Sequence, residues 1–201
     1  MDFARRYGPI LKRAFYARPA AEVARDLLGK VLIHGPCAGM IVETEAYLGG
    51  GDLAAHSARG LTPRTRVIFG PPGHAYVYFI YGMYDCLNLV AEPAGQPGCV
   101  LIRALEPLAG IDLMRARRPA ARRLEDLASG PGKLTLAMAI TRTHNGRDVT
   151  RGDLVVRAGR HRPQAGLEIA VSPRIGIRQS TGWPLRFFLA GNPFVSRSGW
   201  C

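Results

Sequence analysis

The sequence predicts a single α+β domain built around an antiparallel β-sheet. The chain has 201 residues, of which 47% are hydrophobic, and this length suits one well-cored domain. Two tight connections, Gly35–Pro36 and Tyr81–Gly82–Met83–Tyr84, each join a pair of β-branched or aromatic runs in the manner of hairpins. Neither an internal repeat nor a linker divides the chain, so residues 1–201 are expected to form one domain.

The elements follow from the local patterns. Residues 8–29 are predicted to be helical, because the apolar positions of Ala20–Leu28 are spaced for one buried helix face and Gly29 supplies a stop. Strands are predicted over 30–34 and 39–47, paired as a hairpin, followed by loops over 48–75 with a short helical turn at 54–57. Further strands are predicted over 76–80, 86–90 and 99–104, then a mostly helical segment over 107–127 and a helix over 134–140. The last predicted strands are 154–156, 168–171 and 187–189.

Composition favours a nucleic-acid partner. Lys and Arg total 27 against 15 Asp and Glu, for a net charge of +12, and nearly all of the positive residues are arginines, which grip phosphate with two hydrogen bonds. Charge alone does not separate DNA, RNA and acidic lipid. No apolar run approaches a membrane span, and the first residues lack a signal-peptide pattern.

The cysteines argue against a metal site. Cys37, Cys86, Cys99 and Cys201 are scattered, with no zinc-like spacing to each other or to histidine. We expect reduced thiols, three of them buried, in a cytoplasmic protein of bacterial type that uses neither a metal nor another cofactor.

The segment from Ile41 to Gly49 is the most informative one. In a strand, Glu43, Glu45 and Tyr47 share one face, with Val42, Thr44 and Ala46 on the other. A solvated strand face is the simpler interpretation. In so basic a chain, however, two acids on one rigid strand indicate chemistry on a polyanion.

Three further groups can act with this strand. Arg103 lies in the middle of an apolar strand, so its charge must be paired or face a polar cavity. Tyr76 and Tyr78 share a strand face, whereas Tyr81 falls at a turn and suits insertion between bases. The segment Ser129–Lys133 opens a helix and is as well explained by a capped helix start as by phosphate binding through Lys133. Together these groups fit an enzyme that extrudes a base and delivers water to the sugar.

Several blocks of residues resemble the alkyladenine (3-methyladenine, or methylpurine) DNA glycosylase family. They occur in the family order and cover nearly the whole chain, from about Ala20 to Ser196. The blocks are 41–49, Asp52, 54–57, 76–78, 80–84, Cys86, Asn88, 100–101, 103–107, 129–131, 174–176, 184–187 and 191–193.

The resemblance implies a curved antiparallel sheet flanked by helices, similar to the C-terminal domain of formyltransferases, and it implies residue roles. Glu45 is the expected general base for the attacking water, held with the help of Arg103 and the Ile175 carbonyl. Glu43 falls to a supporting role beside an arginine. The expected base-binding residues are Tyr47 and Tyr78 on one side of the base, His56 on the other, the Ala54 backbone at its edge and Asn88 in the pocket wall. Tyr81 is the expected wedge in the vacated stack.

The predicted function is therefore that of a monofunctional, monomeric glycosylase that removes alkylated or deaminated purines from double-stranded DNA and starts base excision repair. A neutral purine would need protonation from His56 or water. Gly50–Gly51 and Asp85 depart from the pattern of mammalian relatives, which bears on substrate range more than on reaction type. Two alternatives remain: a non-catalytic damage-binding module of the same fold, and a hydrolase of free nucleosides.

Overall fold

The computed structural model describes residues 2–80, 82–159 and 168–196, and the strands in these ranges form one antiparallel sheet. The strands are β1 (Val31–His34), β2 (Cys37–Tyr47), β3 (Ala75–Ile80), β4 (Tyr84–Val90), β5 (Cys99–Ala109), β6 (Leu154–Arg157), β7 (Ile169–Ser172) and β8 (Arg186–Leu189). The helices are α1 (Phe3–Tyr7), α2 (Arg13–Tyr16), α3 (Ala20–Asp26), α4 (Ile111–Arg117) and α5 (Pro131–Met138), with 3₁₀ turns at His56–Arg59, Leu124–Asp126 and Arg142–His144. Among these described helices, none has the length and apolar character needed to span a bilayer.

Strand β2 organises the sheet because it pairs with three neighbours. Along one edge it pairs with β5. Along the other edge its first residues pair with β1, and Glu43 to Glu45 pair with β8. The pairing with β5 is irregular around Glu43, and such irregularities bend a strand and raise its twist. The sheet therefore curls, and the end of β2 faces a hollow.

Both faces of β2 are buried, unlike those of a solvated edge strand. Val42 and Ala46 belong to the main apolar core, where α3 packs against the strand. The Thr44 hydroxyl donates to the Ala24 carbonyl of α3 at 2.8 Å. The carboxylates of Glu43 and Glu45 are turned to the other face, as the period of two predicted, and both are fully buried.

The α+β class, the curled antiparallel sheet and the 30–47 hairpin are confirmed. The likeness to formyltransferases remains a prediction. The three cysteines expected to be buried, Cys37, Cys86 and Cys99, are buried, and Cys201 lies outside the described residues.

Two helix predictions were wrong in extent. The predicted helix over 8–29 is two short helices, α2 and α3, because Pro19 disfavours a helical conformation at Arg18. The predicted helix over 107–127 begins late, because β5 continues to Ala109, and α4 ends at Arg117 shortly before Pro119.

Candidate active site

A cavity of about 750 Å³ opens where the end of β2 meets β3, β4, β5 and the neighbouring loops. Segments that are far apart in the chain contribute to its wall. Eight of the residues predicted from the sequence line it: Tyr47, Ala54, His56, Tyr78, Asn88, Arg103, Lys133 and Ile175. The predicted wedge, Tyr81, lies outside the described residues, although Ile80 just before it lines the cavity.

Glu45 lies immediately behind the wall and is fully buried. Its Oε1 accepts the Ile175 amide at 2.8 Å and lies 3.2 Å from Nη1 of Arg103. Its Oε2 accepts the Tyr47 hydroxyl at 3.0 Å. Each carboxylate oxygen has two acceptor positions, so within the described residues Oε2, with one partner, keeps one position open. All three partners line the cavity, so each of these contacts connects Glu45 to the cavity wall.

Glu43, two residues earlier, has four donors, one more than Glu45. Its Oε1 accepts from Nε of Arg103 at 2.8 Å, Nε of Arg186 at 2.7 Å and the Ser196 hydroxyl at 2.9 Å. Its Oε2 accepts the Ser196 amide at 2.7 Å. Burial alone would raise the pKa of Glu43, but the two guanidinium groups and Ser196 outweigh it and lower the pKa below its ordinary value. The predicted arginine pairing of Glu43 is thus confirmed.

Arg103 joins the two acids. Its Nε faces Glu43, its Nη1 faces Glu45, and its Nη2 donates to the Ser196 hydroxyl at 3.4 Å. Burial alone would lower the pKa of Arg103, but the two carboxylates raise it. A permanent positive charge is therefore fixed at the cavity wall, and the salt bridge predicted for this strand position is confirmed.

Tyr47 holds Glu45 from the cavity side. Burial and the Glu45 carboxylate raise the pKa of Tyr47 well above its ordinary value, so the phenol stays protonated and donates a hydrogen bond to Glu45. The guanidinium carbon of Arg174 lies 4.6 Å from the Tyr47 ring centroid. The ring is thereby fixed at both its hydroxyl and its face.

His56, Tyr76 and Tyr78 form one aromatic wall. The His56 and Tyr78 ring centroids are 4.5 Å apart at an interplanar angle of 72°, and Nδ1 of His56 lies 2.9 Å from the Tyr76 hydroxyl. Burial, with the charges of Arg64 and Arg59, lowers the pKa of His56 to about 4. The predicted stacking order, with Tyr78 and His56 on opposite faces of a base, stays a prediction; in this structure the two rings are in contact, so a base fits against the pair and not between them.

Asn88 is held in one orientation at the cavity wall. Its side-chain amide donates to the Tyr76 carbonyl at 3.3 Å, and the Cys99 thiol lies 3.8 Å from its Oδ1. Burial raises the pKa of the Cys99 thiol to about 12, so the thiol keeps its proton as a weak donor. The amide presented to the cavity is therefore fixed by neighbours on β3 and β5.

An ion pair that the sequence did not single out holds the Ala54 loop. Arg174 donates to both carboxylate oxygens of Asp52, at 2.6 and 2.8 Å, and the side chains of both residues are fully buried. Asp52 also accepts the amides of Leu48 and Ala54. The sequence signal was an acid after three glycines, but nothing local identified a partner 122 residues away.

The cavity rim carries both charge signs. Arg59, Arg123, Lys133 and Arg178 line it together with Glu125 and Asp126. Lys133 follows Gly132, where an added Cβ would lie 2.6 Å from the Tyr84 ring, so the start of α5 is packed closely on β4. Lys133 is thus in the predicted region, and its phosphate contact remains a prediction.

Comparison with known proteins identifies the family. The family described as "Methylpurine-DNA glycosylase (MPG)" matches residues 14–193. The chain belongs to the methylpurine-DNA glycosylase family. It is 52% identical over 197 residues to a protein of Methanocella arvoryzae, a match that covers 94% of this chain and 96% of that protein. A protein of Methanoculleus marisnigri is 51% identical over 191 residues, covering 93% of this chain and 98% of the relative.

Both relatives carry the name "Putative 3-methyladenine DNA glycosylase". Membership in this methylpurine-DNA glycosylase family gives the chain a DNA glycosylase role in DNA repair, with DNA as the substrate. It also accounts for the surplus of arginine that the composition showed.

Proposed function

We propose that this protein hydrolyses the N-glycosidic bond of alkylated purines extruded from duplex DNA, with Glu45 activating the attacking water. The observation that carries the proposal is the acceptor position on Oε2 of Glu45 that the described residues leave open, behind a cavity with room for a planar base. A carboxylate within hydrogen-bond reach of water can take its proton as the sugar develops positive charge. The Ile175 carbonyl and Arg103 are proposed to hold that water.

The base is proposed to stack on Tyr47 on one face and on the His56–Tyr78 pair on the other. This order differs from the one expected from the sequence, because His56 and Tyr78 are in contact. The Ala54 backbone and Asn88 meet the edges of the base. Aromatic faces carry negative potential, so this arrangement favours a cationic alkylated purine over its neutral parent.

Proton transfer from His56 is disfavoured. With the pKa of His56 lowered to about 4, its ring is neutral near pH 7. An alkylated purine already carries positive charge and departs without an acid. A neutral purine such as hypoxanthine needs a proton, for which water remains as the source. We therefore expect methylated purines to leave faster than hypoxanthine.

The nucleophile is proposed to be water, although Lys133 lines the same cavity. No lysine lies within ten residues of Glu45 in the sequence, but the fold brings Lys133 to the cavity wall. A lysine nucleophile forms a Schiff base, which borohydride traps as a covalent adduct with DNA. We expect no trapped adduct.

The test is to incubate the protein with duplexes containing 3-methyladenine, 7-methylguanine or hypoxanthine and to measure free base by chromatography. We expect release of the methylated bases, with binding that weakens steeply as salt rises. Tight lesion binding without any free base would instead identify a non-catalytic damage-binding module. Salt-insensitive cleavage of free nucleosides would identify a nucleosidase. Tyr81 as the wedge, Lys133 as a phosphate contact and a monomeric state belong to the same proposal.

A further inference from the structure

Leu53 is a large apolar side chain exposed at the rim of the cavity. It is 62% exposed, and it lines the cavity next to Ala54. The rim elsewhere carries charged side chains, including Arg59 and Arg178. A leucine that is mostly exposed contributes little to folding through burial, and at the mouth of the site it is placed to meet a ligand.

The backbone that presents Leu53 is held on both sides. On the N-terminal side of Leu53, Asp52 is buried and accepts two hydrogen bonds from Arg174. After Leu53, the Ala54 amide donates back to Oδ1 of Asp52 at 3.1 Å. The Leu53 amide itself donates to the Ser180 hydroxyl at 3.2 Å. Leu53 is thus presented by a fixed loop, and a partner that packs on it loses little freedom of that loop.

The link to Ser180 joins two parts of the rim. Ser180 has a φ of +50°, a conformation that is uncommon for a residue other than glycine. It directly follows Arg178 and Gln179, which line the cavity. The leucine is therefore linked to the segment that carries Arg178, which lines the same cavity and is suited to phosphate, while the side chain of Leu53 suits an apolar surface.

We infer that Leu53 is a DNA-contact residue that packs against the nucleotide next to the extruded one. The inference rests on the proposed function. Extruding a nucleotide exposes the apolar face of its neighbour in the stack and the adjoining deoxyribose. Leucine is among the side chains that proteins place against such unstacked steps. The contact forms only in the extruded state, so it favours extrusion over uniform binding to DNA.

The test places 2-aminopurine beside a 7-methylguanine in a duplex and follows its fluorescence, which rises on unstacking, together with single-turnover base release. We expect Leu53→Ala to lower the fluorescence change and to slow release from duplex about tenfold. Leu53→Met should stay near the wild-type rate, because it keeps apolar bulk. Release from single-stranded DNA, in which no stack needs support, should be unchanged.

Leu61→Ala is the matched control. Leu61 belongs to the same long loop and is 69% exposed, but it does not line the cavity. If Leu53→Ala and Leu61→Ala behave alike in both measurements, Leu53 is not a DNA contact. If the wild-type protein raises the fluorescence but releases no base, the proposed chemistry fails, and the Leu53 contact is judged on the fluorescence comparison alone.

Discussion

Two carboxylates two residues apart on β2 have different surroundings. Glu43 is surrounded by Arg103, Arg186 and Ser196, which supply four donors, two of them from guanidinium groups. Glu45 shares Arg103, but its other partners are the Ile175 amide and the Tyr47 hydroxyl, so the described residues give it three donors, one of them from a guanidinium group. Both are fully buried, so burial does not distinguish them. The number of donors does.

The difference shows how a folded chain surrounds two neighbouring acids differently. Two guanidinium groups and Ser196 lower the pKa of Glu43, so this carboxylate is a weak acceptor for a substrate proton. The same arginine that pairs with Glu43 also fixes Glu45 against the cavity wall. Glu43 therefore holds Arg103 in place, and Arg103 in turn holds the Glu45 carboxylate.

The largest expected effect is on catalysis at Glu45. Glu45→Gln keeps the shape of the side chain but removes its capacity to take a proton, and we expect single-turnover release of 7-methylguanine to fall about 10²–10⁴-fold. Lesion binding, measured by fluorescence anisotropy, should change little. If Glu45→Gln releases 7-methylguanine at the wild-type rate, Glu45 is not the base and the proposed mechanism is wrong.

The largest expected effect on stability is at Glu43. Glu43→Gln leaves Arg186 without its carboxylate and Arg103 with only one, so we expect a loss of about 3–5 kcal/mol in the free energy of unfolding. Urea titration measures it, and Glu45→Gln is the control with the smaller loss. Equal losses at the two positions would contradict the division of roles.

A smaller effect is expected when one hydrogen bond is removed from each of the two acids. Tyr47→Phe keeps the ring but removes the donor to Glu45, and Ser196→Ala removes one donor to Glu43. We expect Tyr47→Phe to slow base release about tenfold, and Ser196→Ala to lower the free energy of unfolding by about 1–2 kcal/mol with base release unchanged. The comparison fails if Ser196→Ala slows release as much as Tyr47→Phe does.

The smallest effect is on the pH dependence of stability. Because the pKa of Glu43 is lower in the folded protein than in the unfolded chain, its stabilisation is present above the ordinary glutamate range, near pH 4, and is lost as pH falls through the lowered pKa. The free energy of unfolding, measured by urea titration at falling pH, should therefore drop less steeply in Glu43→Gln than in the wild type. Parallel pH curves would show that Glu43 is not paired in solution.

Patterns that act over a few residues were predicted well. The hairpin, the period of two in β2 and the α+β class all follow from neighbouring side chains and turn residues, and the structure confirms them. The extents of the 8–29 and 107–127 helices were not predicted, because the proline at 19 and the continued pairing of β5 override the helical pattern. The Asp52–Arg174 pair was missed because, although both residues belong to the blocks that resemble the family, nothing in the sequence shows that residues 122 positions apart meet.

The sequence by itself determined a basic chain with two acids on one face of a strand and a family resemblance that named Glu45. The tertiary structure decided why Glu45 differs from Glu43, and it put His56 and Tyr78 in contact. The physical reason is distance along the chain. Apart from Tyr47, the partners that the two acids do not share lie 130 to 153 residues away, so only folding brings their donors within hydrogen-bond reach.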